Sequence, residues 1–452
     1  MWPLRTYAFL ALFLAACGAS LLHPIIGAAA YLMVYQLYPE GQWWGIPLEG
    51  LGIRYSQWAA TLTALGIFVT AALGRMPRRV PLLTPWEILV ALITVVAIAG
   101  YLSCELVRPG QTVLLNKFCK MMFFVFCLTH VVASRRSLMV VMWVFVVGSL
   151  LLGHDAYNTP TKEFVTGRLQ YIGGTDFRAS SGFAAHMAAM LPLIGAVFLL
   201  TRHWAWRVLA LVSGVLTFNA VILCRTRSAF IGLIAGVVTA SLLVPRSWRW
   251  KVYPALAVAV IGGYCLTDQH FVDRMWTMST PEQRQQDAAI NLRYDIWDAG
   301  LRMLADHPMG VGIGNFATWI GDWNPNLYGR ASHNTFLLCA TELGLPGLFL
   351  YLLLIIVSVG QLAWLYWKSD ASADPAGTRI LAFAFLVSIV MYLAAGQFTE
   401  RFYTESLWWV LALPTCLERA VRQEFEAFSP VLHVDEVVEE GSWGEAHPLP
   451  GG

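Results

Sequence analysis

The sequence predicts an all-α fold, a polytopic bundle of about twelve transmembrane helices interrupted by one long hydrophilic loop. Three observations predict it. Of the 452 residues, 57% are hydrophobic and 13% are charged, about half the charged fraction of a soluble domain. The apolar residues fall into runs near the roughly 20 residues that a helix needs to cross a bilayer. Arginine and lysine gather in every second connection between those runs, the pattern of cytoplasmic loops. A net charge of +2 offers no basic surface for nucleic acid.

The runs lie near 4–22, 24–38, 57–74, 86–103, 113–133, 138–153, 182–201, 206–223, 228–244, 251–267, 334–366, 380–397 and 404–418. In lipid the backbone must satisfy its own hydrogen bonds, so each is read as a helix. Leu14-Ala15-Ala16-Cys17 matches a lipobox, but the apolar run resumes at Ile25, so the segment is read as a first helix and not as a cleaved signal. The eight cysteines are scattered with no CxxC or Cys/His spacing and are read as small buried hydrophobes.

Arg75, Arg78 and Arg79, then Arg135 and Arg136, Arg202 and Arg207, Arg246, Arg249 and Lys251, Lys368 and Arg379, and Arg419 and Arg422 mark one side as cytoplasmic. The opposite, outer loops are then 39–56, 104–112, 154–181, 224–227, 268–332 and 398–403. With both ends inside, 4–22 and 24–38, joined at His23-Pro24, cannot both cross fully, and one is read as partial or re-entrant. Three regions follow: 1–165, an N-terminal transmembrane region; 166–418, a core that contains the long loop 268–332; and 419–452, an acidic cytoplasmic tail predicted to be disordered.

Polar chemistry collects on the outer side. Within 268–332, Leu292, Ile296, Trp297, Leu301 and Leu304 recur at spacings of three and four, so 291–305 is predicted as an amphipathic helix against the membrane face, stopped by Pro308. Gly310, Gly312 and Gly314 let backbone N–H groups approach a ligand closely, although no strand precedes them and a nucleotide-binding reading is rejected. The outer acids Asp268, Asp273, Asp287, Asp295, Asp298 and Asp306 are spread along the loop and form no metal cluster. His333 stands at the mouth of a helix, where an imidazole can accept a proton near neutral pH; a capping or interfacial histidine is the competing reading. Arg225 and Arg227 occupy a very short outer hairpin, and Arg293, Arg168 and Arg178 add further outer positive charge. Outer arginines oppose the positive-inside tendency and suit phosphate oxygens, and Arg227 also opens a helix. A site with several arginines and a histidine is suited to holding a diphosphate and deprotonating a hydroxyl.

These residues match a family. His333-Asn334-Thr335-Phe336-Leu337 with Glu342-Leu343-Gly344-Leu345-Pro346-Gly347, Arg293-Tyr294-Asp295-Ile296-Trp297, Asp306-His307-Pro308-Met309-Gly310-Val311-Gly312, Thr226-Arg227-Ser228 and Ser181-Gly182-Phe183-Ala184 resemble, in order and spacing, the O-antigen ligase and O-antigen polymerase superfamily of bacterial membrane glycosyltransferases. Tyr38-Pro39, Trp43-Trp44-Gly45 and Arg78-Arg79-Val80-Pro81 are similar to an exosortase-associated subgroup. The chain departs from the usual pattern at Thr226, Ser228 and Ser181, and by the additional Arg225. The resemblance implies an inner-membrane enzyme with its site facing the periplasm and no cofactor. Its donor would be a glycan on undecaprenyl diphosphate, and its acceptor lipid A-core, as in lipopolysaccharide biosynthesis, a protein, or another glycan. It implies that His333 is the base, that Arg227 and Arg293 hold the diphosphate with Arg225 and Arg178 nearby, that Asn334, Glu342, Gly312 and Gly314 support them, and that transfer is inverting and metal-independent. Ligase and exopolysaccharide polymerase differ in acceptor only. A non-enzymatic transporter or flippase is the alternative class; it would show internal repeats and a central arginine path, and neither is evident.

Overall fold

The computed structural model describes residues 2–75, 83–104, 109–244, 246–267, 272 and 288–440. Among these there is no strand, only an isolated bridge between Val165 and Arg168. The chain opens with α1 (Leu4–Ser20) and α2 (Pro24–Leu37), a one-turn α3 (Ile46–Glu49), α4 (Tyr55–Ala72), α5 (Pro85–Leu102) and α6 (Pro109–Val131). Next come α7 (Arg135–Asn158), α8 (Ser180–Leu200), α9 (Trp204–Leu223), α10 (Arg227–Leu243) and α11 (Arg249–Leu266). The long loop carries α12 (Ala288–Asp306) and α13 (Phe316–Trp323), and α14 (Thr335–Trp367), α15 (Pro375–Gly396) and α16 (Glu405–Glu440) close the chain.

Seven of these, α5 to α9, α14 and α15, are long and apolar enough to cross a membrane, and α1, α10 and Val252–Cys265 of α11 are shorter apolar helices. The protein is therefore a multi-pass membrane protein. Helix starts follow their local chemistry. Thr84 and Glu87 form a reciprocal capping box at α5, and Ser134 and Ser137 do the same at α7, which satisfies N–H groups that a helix end leaves free. Small residues let backbones meet without polar glue. A Cβ at Gly66 would lie 2.1 Å from the Ser20 carbonyl oxygen, and one at Gly232 would lie 2.7 Å from that of Met391.

Long-range contacts sort the helix ends onto two faces. On one face Glu87 at the start of α5 pairs with Arg419 of α16 at 2.7 Å and accepts from Thr129 near the end of α6, while Arg135 at the start of α7 bonds Glu424 at 2.8 Å and Thr378 of α15 at 2.7 Å. On the other, Cys104 after α5 meets Val311, Gln111 in α6 meets Ile313, and Lys117 meets Asp176 of the 159–179 loop. The basic residues Arg135, Arg202, Arg246 and Lys368, at the helix ends next to the first face, fall on it as the charge alternation predicts, while Arg78 and Arg79 lie outside the described residues.

The N-terminal hairpin corrects one expectation. The Thr6 hydroxyl bonds the Trp44 carbonyl beyond the end of α2, and Phe9 and Phe13 pack edge-on against Tyr55 at 5.3 and 5.2 Å. The start of α1 therefore lies on the same face as 38–54. Pro24 at the first position of α2 permits the sharp return, so α1 leaves this face and the 14-residue α2 comes back to it, and the start of α1 lies on the face opposite Arg419 of α16, where one shared face was expected. Cys17 is buried within α1. Helix α16 also runs on to Glu440, through a stretch predicted as unstructured tail; residues 441–452 lie outside the described residues.

Candidate active site

The α12 helix forms close to its predicted bounds, and most of its predicted stripe faces inward: Ile296 is buried, and Leu292 and Trp297 pack against the core. Leu301 is the departure, 60% exposed, while Ala299 and Met303 are buried on the inner face. An alanine at such a position is passed over when only large apolar residues are sought. The Trp297 indole donates to the Ser332 carbonyl at 3.1 Å, which fixes α12 to the segment that leads into α14. Of the outer acids, Asp298 pairs with Arg302 at 2.6 Å and Asp306 accepts the Trp323 indole N–H at 2.7 Å. Asp268, Asp273 and Asp287 lie outside the described residues.

The glycine loop is a cradle for an internal carboxylate. Glu342 accepts from the N–H groups of Gly314 at 2.9 Å and Phe316 at 3.0 Å and from the Tyr403 hydroxyl at 2.6 Å. Val311 and Gly312 donate to the carbonyls of Thr341 and Glu342, both at 2.9 Å, and Leu345 donates to Pro308 at 2.8 Å. Gly310, Gly312 and Gly314 have φ of 88°, 87° and 75°, which favour a residue without a side chain. Across from them Gly344 breaks α14 with φ 72° and ψ −176°. A Cβ there would be 2.3 Å from the Met309 carbonyl carbon. These amides thus face α14 and its acid, and the approach to a phosphate that the glycines suggested is taken by Glu342.

His333 occupies the turn just above. Its φ of 49° is rare for a residue with a side chain. Asn334, not His333, caps α14: its Oδ1 accepts from Phe336 at 2.9 Å and Leu337 at 3.0 Å. The capping alternative for the histidine is therefore set aside. Glu400 accepts the N–H of Ser332, next to His333. The Thr335 hydroxyl donates to the Thr399 carbonyl at 2.7 Å and accepts from the Arg401 N–H at 2.9 Å. Burial pushes the His333 imidazole below its ordinary value; Glu400 pulls it up, while Arg293 and Arg330 push it down. One half-buried imidazole is thus held within the fields of one carboxylate and two guanidinium groups.

The arginines divide by role. Arg293 lies in the field of His333. Arg227 begins α10, and Gly232 of that helix packs on Met391 and Ala395 of α15. Five residues earlier, at 1.5 Å each, Arg227 comes to the level of the 397–401 turn. Arg225, also left-handed with φ 47°, donates to the Gly167 carbonyl at 2.5 Å and lies over the Phe164 ring at 5.7 Å, so it braces the hairpin against the 159–179 loop. Arg178 is exposed on that loop. Sequence reasoning missed Glu400, Arg330 and Arg401, along with the Asp176 cluster, in which Asp176 takes Lys117 and Tyr35 on its carboxylate and Arg401 on its carbonyl. The adjacent Glu400-Arg401 in the short outer 398–403 loop was the available signal.

The model of a family described as O-antigen ligase matches residues 212–352, a span that includes Arg225, Arg227, Arg293, His333 and Glu342 and stops short of Glu400. A search of curated proteins gives no match. The matched stretch starts within α9 and ends within α14, so it holds the short arginine hairpin, the described part of the long loop and the glycine cradle, and over these residues the multi-pass membrane protein is similar to the O-antigen ligase family.

Proposed function

We propose that the protein transfers a glycan from undecaprenyl diphosphate to an acceptor hydroxyl at the face that carries His333, and that this face is periplasmic in a bacterial inner membrane. The observation that carries the reading is His333, held in a strained turn by its neighbours' contacts with Glu400 and Thr399 and set among Arg293 and Arg330. The orientation follows from the basic loops on the opposite face. The start of α1 then lies in the periplasm and Arg419 of α16 on the cytoplasmic side.

In the proposed step the acceptor oxygen attacks the anomeric carbon from the side opposite the diphosphate. The new C–O bond forms as the bond to the diphosphate oxygen breaks, which inverts the centre. The electron pair leaves on the diphosphate, whose charge Arg227 and Arg293 hold, and the acceptor proton passes to His333. Positioning and electrostatics carry most of the barrier, and the step is balanced without a metal. Glu400 supports the imidazole as it gains charge.

The test is a reconstituted assay with the purified protein in proteoliposomes, an undecaprenyl-diphosphate-linked glycan as donor, and two acceptor arms, a lipid A-core and a second carrier-linked glycan. Product in either arm that requires His333 is expected, and the arm that yields it separates ligase from polymerase. Carrier-linked glycan moved across the bilayer intact, with no bond made in either arm, would assign the chain to transport.

A further inference from the structure

We propose that a cleft between α5 and the loop that carries α13 binds a glycolipid with an uncharged sugar head, apart from the His333 centre. The cleft measures about 780 Å³, within the range of small-ligand sites. Its upper wall holds Trp319, Tyr328, Asp322 and His307, and its floor includes Val96 and Leu343. Below the floor α5 and α14 continue with outward side chains such as Val95, 59% exposed, and Phe349, 65% exposed. An occupant is thus met by aromatic and hydrogen-bonding groups at its upper end and by an apolar, outward-facing surface at its lower end.

The upper wall suits a neutral sugar. Aromatic faces cover the C–H face of a pyranose, and the Asp322 carboxylate accepts from paired hydroxyls. Trp319 is held in place by an edge contact with His307 at 5.3 Å, and His307 is held in turn by Trp323 at 5.7 Å, so the platform is preorganised. Among the described residues no lysine or arginine lines the cleft, and Asp322 would repel a phosphate, which favours an uncharged head over the donor diphosphate here. Tyr328 lies five residues before His333, at most about 18 Å along an extended chain. A glycan seated in the cleft therefore reaches the imidazole within a few sugar rings. The identification of the occupant as acceptor rests on the reading of His333 given above; the binding itself does not.

The experiment places the full chain in nanodiscs that contain diglucosyl diacylglycerol or phosphatidylglycerol, and measures retained lipid by native mass spectrometry and the alkylation rate of Cys104, which lines the cleft. Wild type is expected to retain the glucolipid about tenfold over phosphatidylglycerol, with slower alkylation of Cys104. Trp319→Ala and the surface variant Tyr328→Ala should lose most of that preference and protection, and His333→Ala should keep both. Preference for phosphatidylglycerol, or a Tyr328→Ala protein that is folded and still retains and protects like wild type, would overturn the proposal. Retention by wild type without transfer to any acceptor would sink the transfer reading and leave the cleft standing.

Discussion

Glu400 receives the backbone N–H of Ser332, the residue that immediately precedes His333. The carboxylate therefore fixes the turn and the field of the imidazole together, and charge changes around it should move the pH dependence of transfer in opposite directions. His333 lies below its ordinary value, with Glu400 raising it and Arg330 lowering it. A base works when unprotonated, so activity falls as pH drops through that value. Arg330→Gln removes a positive charge and should shift the acid limb to higher pH; Glu400→Gln removes a negative charge and should shift it to lower pH. Rate against pH in the reconstituted assay reads both, and shifts of the same sign would refute the assignment.

Chemistry and backbone strain at His333 can be separated. Asparagine tolerates the left-handed turn but cannot serve as base. His333→Asn should insert and melt like wild type while transfer falls by roughly 10²–10⁴-fold, the usual span for a general base. A folded Asn variant with near-normal transfer would remove His333 from the reaction.

Arg227→Ala should weaken use of the lipid-diphosphate donor by an amount that corresponds to a charge-assisted bond, about 1.5–3 kcal/mol, and Arg227→Lys should restore part of it, since the fork is lost. The measurement is kcat/KM for donor at fixed acceptor. Arg225→Ala should instead act through stability, because its guanidinium is spent on Gly167 and Phe164. A larger kinetic defect from Arg225 than from Arg227 would reverse the assignment.

Glu342→Ala leaves two backbone donors and one hydroxyl facing a void, each costing about 1–3 kcal/mol when unsatisfied. It should abolish stable expression, while Tyr403→Phe, which removes one donor only, should lower Tm by a few degrees. Gly344→Ala combines a left-handed position with a 2.3 Å clash and should match Glu342→Ala. Thermal melts in detergent check all three.

Much of the frame was legible because lipid allows the backbone few choices. Every apolar run became a helix, the alternation of arginines separated the two faces, and Pro308 stopped α12. The side chains His333, Asn334 and Glu342 stood out through their order along the chain. What the sequence hid was lateral pairing. The partner that anchors Ser332 is 68 residues away, the acid that fills the glycine cradle is 26 to 28 residues away, and the carbonyl that takes Arg225 is 58 residues away. A glycine-rich loop reads alike whether its amides await a phosphate or an internal carboxylate. The direction of α1 failed for a related reason: its sequence carries too little flanking charge to orient it, and Tyr55 and Trp44 decide the matter.

The break at Gly344 divides α14 into parts with different duties. Below it, Leu345–Trp367 is about 35 Å long at 1.5 Å per residue, enough to cross a hydrocarbon layer of about 30 Å unaided. Above it, Thr335–Leu343 is freed from spanning and is stitched sideways to 308–316. A membrane that thickens or thins is met by tilt of the lower part, and the glycine absorbs the change in angle. The end of the molecule that carries His333 should thereby keep its geometry across bilayers in which the rest of the bundle leans.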